Sequence, residues 1–275
     1  MTAEDRFRFY KSAGEDGITL LKARMNRFAY PRHAHEEYSF GVTLSGDQQF
    51  FSRGSFYTSR PGNVILFNPD DIHDGNAGGE GGLDYLMLYI PPETLIPYLK
   101  SSGWAGGADF RLRLLMSEDP SIHNALLRLS GSVGDGKGNP LYQEDCLFDL
   151  ALALTGAEGT DIRARPDGRL DTLLSKAKDY IQSNIREDIS LDALGRELDM
   201  SKFHFLRLFR EQVGTTPYQY ILSCRVEQAR KALLGPQTVS DIAYEYGFAD
   251  LSHFNRRFKA VFGVTPTRYR KNLLN

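Results

Sequence analysis

Between residues 190 and 270 the chain carries one pattern of capping, apolar and turn residues twice. A duplicated unit of that size restricts the folds open to it, because each copy must build the same supersecondary structure. Ser190-Leu191-Asp192-Ala193-Leu194-Gly195 aligns with Thr238-Val239-Ser240-Asp241-Ile242-Ala243 at an offset of 48. After one inserted residue the offset is 49, pairing Ser201 with Asp250, Phe205 with Phe254, Arg207 with Arg256, Phe209 with Phe258, Gly214 with Gly263, Thr216-Pro217 with Thr265-Pro266 and Tyr220 with Tyr269.

Each copy reads as two short helices joined by a turn. Ser190 and Thr238 are suited to cap the first helix, and Ser201 and Asp250 the second. Thr216 and Thr265 each precede a proline, the residue best tolerated in a first helical turn. Leu191, Leu194 and Leu198 point one face inward, as do Val239, Ile242 and Tyr246. Gly195 and Ala243 are small, which lets two helices cross closely, as a helix-turn-helix requires. Between the copies, Pro217 to Leu234 reads as one helix of 18 residues, roughly 27 Å long at about 1.5 Å per residue. That is comparable with the roughly 34 Å separating successive major grooves on one face of a duplex.

The total charge of −2 conceals an asymmetry: residues 1–168 carry net −7 and residues 169–275 net +5. A basic half is suited to a polyanion. With Phe205, Phe209 and Val213 matching Phe254, Phe258 and Phe262 on the core side, the opposite faces offer Lys202, Phe203, Leu206, Arg207 and Arg210 in the first copy. The second copy offers Leu251, Ser252, Asn255, Arg256 and Lys259. Arg and Asn can make paired hydrogen bonds to guanine and adenine edges. Any one arginine could belong to a solvated helix face, but Arg207 recurs as Arg256 and Arg210 as Lys259, so these ten residues are the expected DNA contacts. The copies are not equal, since Leu206 faces Asn255 and Phe203 faces Ser252 in the alignment. The second copy is expected to carry more hydrogen-bond readout, and the first more positioning and apolar contact.

Over residues 169–275 the text Ser201-Lys202-Phe203-His204-Phe205-Leu206-Arg207-Leu208-Phe209-Arg210, Gly214-x-Thr216-Pro217-x-x-Tyr220, Arg225-Val226, Ile242-Ala243-x-x-x-Gly247-Phe248 and Gly263-x-Thr265-Pro266-x-x-Tyr269-Arg270 resembles the DNA-binding domain of the AraC/XylS family of bacterial transcription regulators. The resemblance implies two helix-turn-helix motifs, at about 190–213 and 238–262, joined by a long helix. It also implies promoter DNA and RNA polymerase as partners, with activation the usual output. Leu206 stands where polar residues often occur, so base reading by the first motif is expected either to be weaker or to rest on apolar contact with thymine methyls.

The first half has different punctuation. Tyr38, Phe40, Val42 and Leu44 alternate with Ser39, Gly41, Thr43 and Ser45, the period of a half-buried strand. Short strands are expected at 48–53, 56–59, 64–67 and 84–90, broken by Arg53-Gly54, Pro61-Gly62 and the Gly-rich stretch Gly75 to Gly82. Such spacing suggests a small barrel. After Pro91-Pro92, helices are expected at 93–101, 120–130 and 140–154, the last with a stripe of Leu141, Leu147, Leu150, Ala151 and Leu154 suited to core or to a subunit contact. Thr155 to Gly168 is polar and reads as a linker. The expectation is a two-domain α+β chain: a cupin-like effector-binding and dimerisation barrel at 1–155, a linker at 156–168, and an all-α DNA-binding domain at 169–275.

His33-x-His35-x-Glu37, His73, Arg60-Pro61-Gly62 and Asn68-Pro69 resemble the cupin half of the same family. Three imidazoles and a carboxylate are adequate ligands for zinc, iron or manganese. Glu37, however, follows His35 by only two residues, closer than the acid of metal-holding cupins, so no metal, cofactor or catalytic residue is expected. His35, Tyr38, Phe40, His73 and Tyr85 are expected instead to line a pocket for a small-molecule effector. A cupin metalloenzyme fused to a DNA-binding domain is the competing class, and metal analysis separates the two. A DNA-repair methyltransferase would need a zinc-held reactive cysteine, for which neither Cys146 nor Cys224 has suitable neighbours. With two cysteines, a charged N-terminus and no apolar run of about 20 residues, the chain is expected to be a cytoplasmic homodimer that does not enter a membrane.

Overall fold

In the computed structural model, residues 4–12, 16–105, 110–134, 140–157 and 169–274 are described. Among the described residues ten strands run in the order β1 (Arg6–Lys11), β2 (Thr19–Met25), β3 (Ala29–His33), β4 (Tyr38–Ser45), β5 (Gln48–Ser52), β6 (Ser55–Ser59), β7 (Val64–Phe67), β8 (His73–Ala77), β9 (Leu83–Ile90) and β10 (Met116–Ser117). They form an antiparallel six-stranded sheet, β1-β2-β9-β4-β7-β10, and a four-stranded sheet, β3-β8-β5-β6. β8 runs into the stretch expected to be a turn. Its sequence, HDGNA, has poor strand propensity, and it is held extended by pairing with β3 on one side and β5 on the other.

Three helices, α1 (Pro92–Ser101), α2 (Pro120–Gly134) and α3 (Pro140–Gly156), cover the outer face of the larger sheet. Period two divides that sheet's side chains between two cores. Leu20, Tyr38, Phe40, Val42, Leu66, Leu86, Leu88 and Ile90 pack with Leu126, Leu129, Leu147, Leu150 and Leu154 of the helices. Of the expected α3 stripe, Leu147, Leu150, Ala151 and Leu154 are buried, whereas Leu141 is 65% exposed. The opposite face carries Phe7, Phe9, Leu21, Met25, Ile65, Phe67, Tyr85 and Met87.

The second half contains α4 (Arg169–Ser183), α5 (Leu191–Glu197), α6 (Lys202–Val213), α7 (Pro217–Ala232), α8 (Val239–Glu245), α9 (Leu251–Phe262) and α10 (Pro266–Leu274). The expected caps are made: the side chains of Ser190, Ser201, Thr216, Thr238 and Asp250 each accept a backbone N–H three residues ahead. Gly195 is required by the α5–α6 crossing, since a Cβ there would stand 2.8 Å from the Met200 carbonyl oxygen. Arg225 on α7 joins the two motifs by donating to the carbonyls of Ile185 at 3.1 Å, Glu187 at 2.6 Å and Gly247 at 3.0 Å. Most of the expected linker, residues 158–168, lies outside the described residues.

The two halves share a core. Phe9 of β1 packs against Tyr269 at 4.7 Å and Phe262 at 6.2 Å between ring centroids. The apolar cluster inside the barrel continues into Leu222 and Val226 of α7 and Ile242, Phe254 and Phe258 of the second motif. Gly263 closes α9 with φ 72°, and a Cβ there would lie 2.6 Å from the Phe7 ring. The first motif has its own core, with Leu194, Phe205, Phe209 and Tyr220 packed on Ala177 and Ile181 of α4.

Candidate functional site

α6 and α9 are built alike. The Ser201 hydroxyl accepts from the His204 N–H at 3.3 Å, and the Asp250 carboxylate from that of His253 at 2.6 Å. Each helix ends on a left-handed glycine, Gly214 at φ 81° and Gly263 at φ 72°, a conformation open to glycine without strain. Phe205 and Phe209, and correspondingly Phe254, Phe258 and Phe262, turn inward and are buried. That orientation leaves Phe203, Arg207, Arg210, Leu251, Ser252, Arg256 and Lys259 exposed, with Lys202, Leu206 and Asn255 half-buried. Lys202 pairs with Asp192 at 3.1 Å. Among the described residues Arg207, Arg210, Arg256 and Lys259 make no ion pair, so their donors face solvent.

The expected effector residues divide. His35, His73 and Tyr85 line one internal cavity with Ser39, Gln48 and Tyr30, but its volume is only about 20 Å³. Tyr38 and Phe40 lie on the other face of β4, where the Tyr38 hydroxyl donates to the Phe110 carbonyl at 2.5 Å and Phe40 belongs to the core under the helices. The alternation identified two faces of β4 without saying which one faces the barrel. The bulky face is covered by α1–α3, and the small residues Ser39, Gly41 and Thr43 turn inward, Gly41 so closely that a Cβ would meet Met87 at 2.8 Å.

Burial keeps the three barrel histidines neutral. It lowers His33 to about 3, aided by nearby His35, and His35 to about 4 against the pull of Glu37. His73 is held well below the ordinary histidine range by burial and by the other two rings. Tyr30 and Tyr85 share a hydrogen bond at 2.8 Å between their hydroxyls.

Beside this cluster the β3–β4 connection meets α7. The buried Arg230 guanidinium bridges Glu37 of the barrel and Glu227 of its own helix, the latter through Nε at 2.6 Å, and reaches the Tyr269 hydroxyl at 3.2 Å. Burial pushes the Glu37 carboxyl above the usual range against the pull of Arg230. Glu36 accepts from Lys231 at 2.6 Å, Gln182 at 2.8 Å and Gln228 at 2.9 Å. Burial opposes ionisation of Glu36, but Lys231 and the amide donors outweigh it and hold its carboxyl low. Only Glu37 of this junction was singled out from the sequence, and for another role. The available signal was Glu227 and Arg230 standing on the same helix as apolar Leu222, Val226, Ala229 and Leu233, because a charge buried beside such a face needs a partner.

Two larger openings flank the junction. One of about 720 Å³ lies between the barrel and the first motif, with Arg32, Arg53, Arg111, Lys178 and Arg210 in its lining. One of about 360 Å³ lies at the barrel mouth, with Lys11, Thr19, Glu36, Glu37, Arg230 and Lys231.

Residues 17–151 match the AraC-like ligand binding domain family, and residues 194–272 match a helix-turn-helix domain family. The chain is 32% identical over 244 residues to the probable transcriptional regulator LumQ of Photobacterium leiognathi, covering 86% of this chain and 90% of that protein. It is 24% identical over 237 residues to the XylDLEGF operon transcriptional activator of Pseudomonas putida, covering 84% and 73%. ToxT of Vibrio cholerae, solved with an unsaturated fatty acid bound, has the same fold at a TM-score of 0.63 and 16% identity, over 98% of this chain and 95% of that one. These families and relatives are transcription regulators, not enzymes. An AraC-like ligand-binding domain followed by two helix-turn-helix motifs, with a relative matched along nearly its whole length, places the chain in the AraC/XylS family of DNA-binding transcription regulators.

Proposed function

We propose that the chain is an effector-controlled transcription activator that reads promoter DNA with α6 and α9. The carrying observation is that both helices leave their basic faces exposed while the opposite side of the same domain is fastened to the ligand-binding domain through Glu36, Glu37, Arg230 and Lys231. Control by an effector then has a physical route: a ligand that changes this junction changes how the two motifs are held. The barrel interior, at about 20 Å³, is too small for a metabolite, whereas the 360 Å³ opening at its mouth is within the usual range for a small-molecule site. An anionic effector there would compete with Glu36 and Glu37 for Lys231 and Arg230. The fatty acid bound by ToxT supports a small molecule as the ligand of this fold.

Activation is supported by the named role of the Pseudomonas putida relative, and RNA polymerase is the partner that activation would require. A homodimer is supported by Leu141, Phe148 and Leu152, which are 65%, 40% and 52% exposed on α3. Their spacing of seven and four residues lays them along one helix face. The domain limits remain those of the sequence, 1–155 and 169–275 about a linker at 156–168.

The test is selection of genomic fragments by the purified chain, with and without a metabolite panel, followed by footprinting. Arg256→Ala should weaken specific binding by about 1–3 kcal/mol and relax preference at one base position. An unchanged footprint and affinity in that variant would remove Arg256 from the reading face.

A further inference from the structure

Three buried imidazoles converge inside the barrel. His33 and His73 stand opposite each other across the β3–β8 pairing, and His35 follows two residues later. Their ring centroids are 4.5, 4.8 and 5.5 Å apart, and one nitrogen from each lies within 4.8 Å of the other two.

The hydrogen bonds on the far side of each ring decide which nitrogens are available. Nδ1 of His33 is 2.7 Å from the Pro31 carbonyl, and Nδ1 of His73 is 2.8 Å from the Asp71 carbonyl. A carbonyl only accepts, so each Nδ1 carries the proton and each Nε2 keeps a bare lone pair. Nδ1 of His35 lies 3.7 Å from the Glu227 carboxylate, which favours the same tautomer. Imidazoles whose outer N–H is directed to a carbonyl or carboxylate are arranged as metal ligands usually are.

A second observation concerns the same cavity. Ser39 Oγ and Gln48 Oε1 belong to residues that line it, are 1% and 5% exposed, and have no hydrogen-bond partner among the described residues. A space of about 20 Å³ lined by lone pairs is large enough for one ion or one water. We infer that His33, His35 and His73 form a binding site for one divalent first-row transition ion, with Glu227 of α7 positioning the His35 ligand from the DNA-binding domain.

Imidazole ligands without a thiolate suit zinc, iron, nickel or copper. The short spacing from His35 to Glu37, which argued against a metal, bears only on the acid: Glu37 turns to Arg230, and the three histidines meet without it. Because Glu227 also bonds Arg230, occupancy of the site is linked to the same junction that joins the barrel to the reading motifs.

The test uses the full chain, stripped with a chelator and titrated with Zn²⁺ by calorimetry and with Co²⁺ by visible absorption. One ion per chain is expected, with a Co²⁺ spectrum of nitrogen coordination. His33→Gln and His73→Phe should each weaken binding at least 100-fold, and Glu227→Gln by about 10–100-fold. The combined variant His123→Ala, His204→Ala, His253→Ala removes the histidines outside the barrel and should bind unchanged. Circular dichroism identifies any variant that fails to fold, and the other barrel variant then carries the test. Absence of one-to-one binding, or binding that survives the loss of His33 or His73, overturns the site and leaves the DNA-binding reading standing.

Discussion

Replacing Arg230 with Met tests whether the barrel and the second motif are held together by a buried charge cluster. Arg230 is 8% exposed and lies between Glu37 and Glu227, which are 5% and 2% exposed. Methionine keeps much of the apolar stem and removes the guanidinium, leaving two carboxylates buried without a cation. Removing one partner from a buried ion pair costs about 3–5 kcal/mol, mostly from the charge left behind. The cost should therefore fall when the carboxylates are neutralised. Burial already raises the Glu37 carboxyl against the pull of Arg230, so losing the guanidinium leaves its folded-state pKa further above the unfolded range. A carboxyl raised on folding contributes stability that is present below its unfolded pKa and lost as pH rises through the folded value. The deficit of Arg230→Met should accordingly be large at pH 7 and smaller near pH 5. Denaturant unfolding followed by circular dichroism measures it, and a cycle with Glu37→Gln isolates the part that crosses between domains, expected at about 1.5–3 kcal/mol for a charged hydrogen bond. A loss below about 1 kcal/mol, additive with Glu37→Gln and independent of pH, would refute a stabilising junction.

Other variants separate local structure from reading and docking. Gly195→Val should destabilise the first motif by about 1–3 kcal/mol through the clash with the Met200 carbonyl, measured as a lowered unfolding midpoint. Asp250→Ala should cost about 1 kcal/mol by removing the cap on α9, and a Tm equal to that of the parent would show that the cap contributes nothing. Phe40→Ala should cost about 3–5 kcal/mol as a core truncation. It should leave effector affinity at the barrel mouth unchanged, and a selective loss of ligand in a folded variant would contradict the placement of Phe40 under the helices.

The double helix-turn-helix was legible because its determinants are local. Caps such as Ser201 and Asp250, left-handed glycines such as Gly214 and Gly263, and phenylalanines at a spacing of four act within one or two helical turns, so adjacent residues suffice to specify them. The exposed basic faces of α6 and α9 follow from the same periodicity. Strands β4 to β7 and β9 were legible from alternation and turn residues; β1, β2, β3 and β10 were not among the expected strands, and β8 owes its extended form to neighbours on both sides.

What the linear order leaves open is which face of an element meets which partner. The sequence places Tyr38 and Phe40 on one face of a strand, but a period of two has no sign, and only the packing of α1–α3 shows that this face points away from the barrel pocket. The convergence of His33, His35 and His73 depends on the β3–β8 register, a pairing across 40 residues of chain. The junction of Glu36 and Glu37 with Arg230 and Lys231 spans nearly 200 residues; the helix marks Arg230 as a charge in need of a partner, but which carboxylates meet it has no sequence signature because attraction acts through space. The repeat by itself determined that this chain carries two helix-turn-helix motifs with basic outer faces. Tertiary structure decided that the second motif closes the barrel, because its inward phenylalanines and the apolar barrel face bury their surfaces against each other.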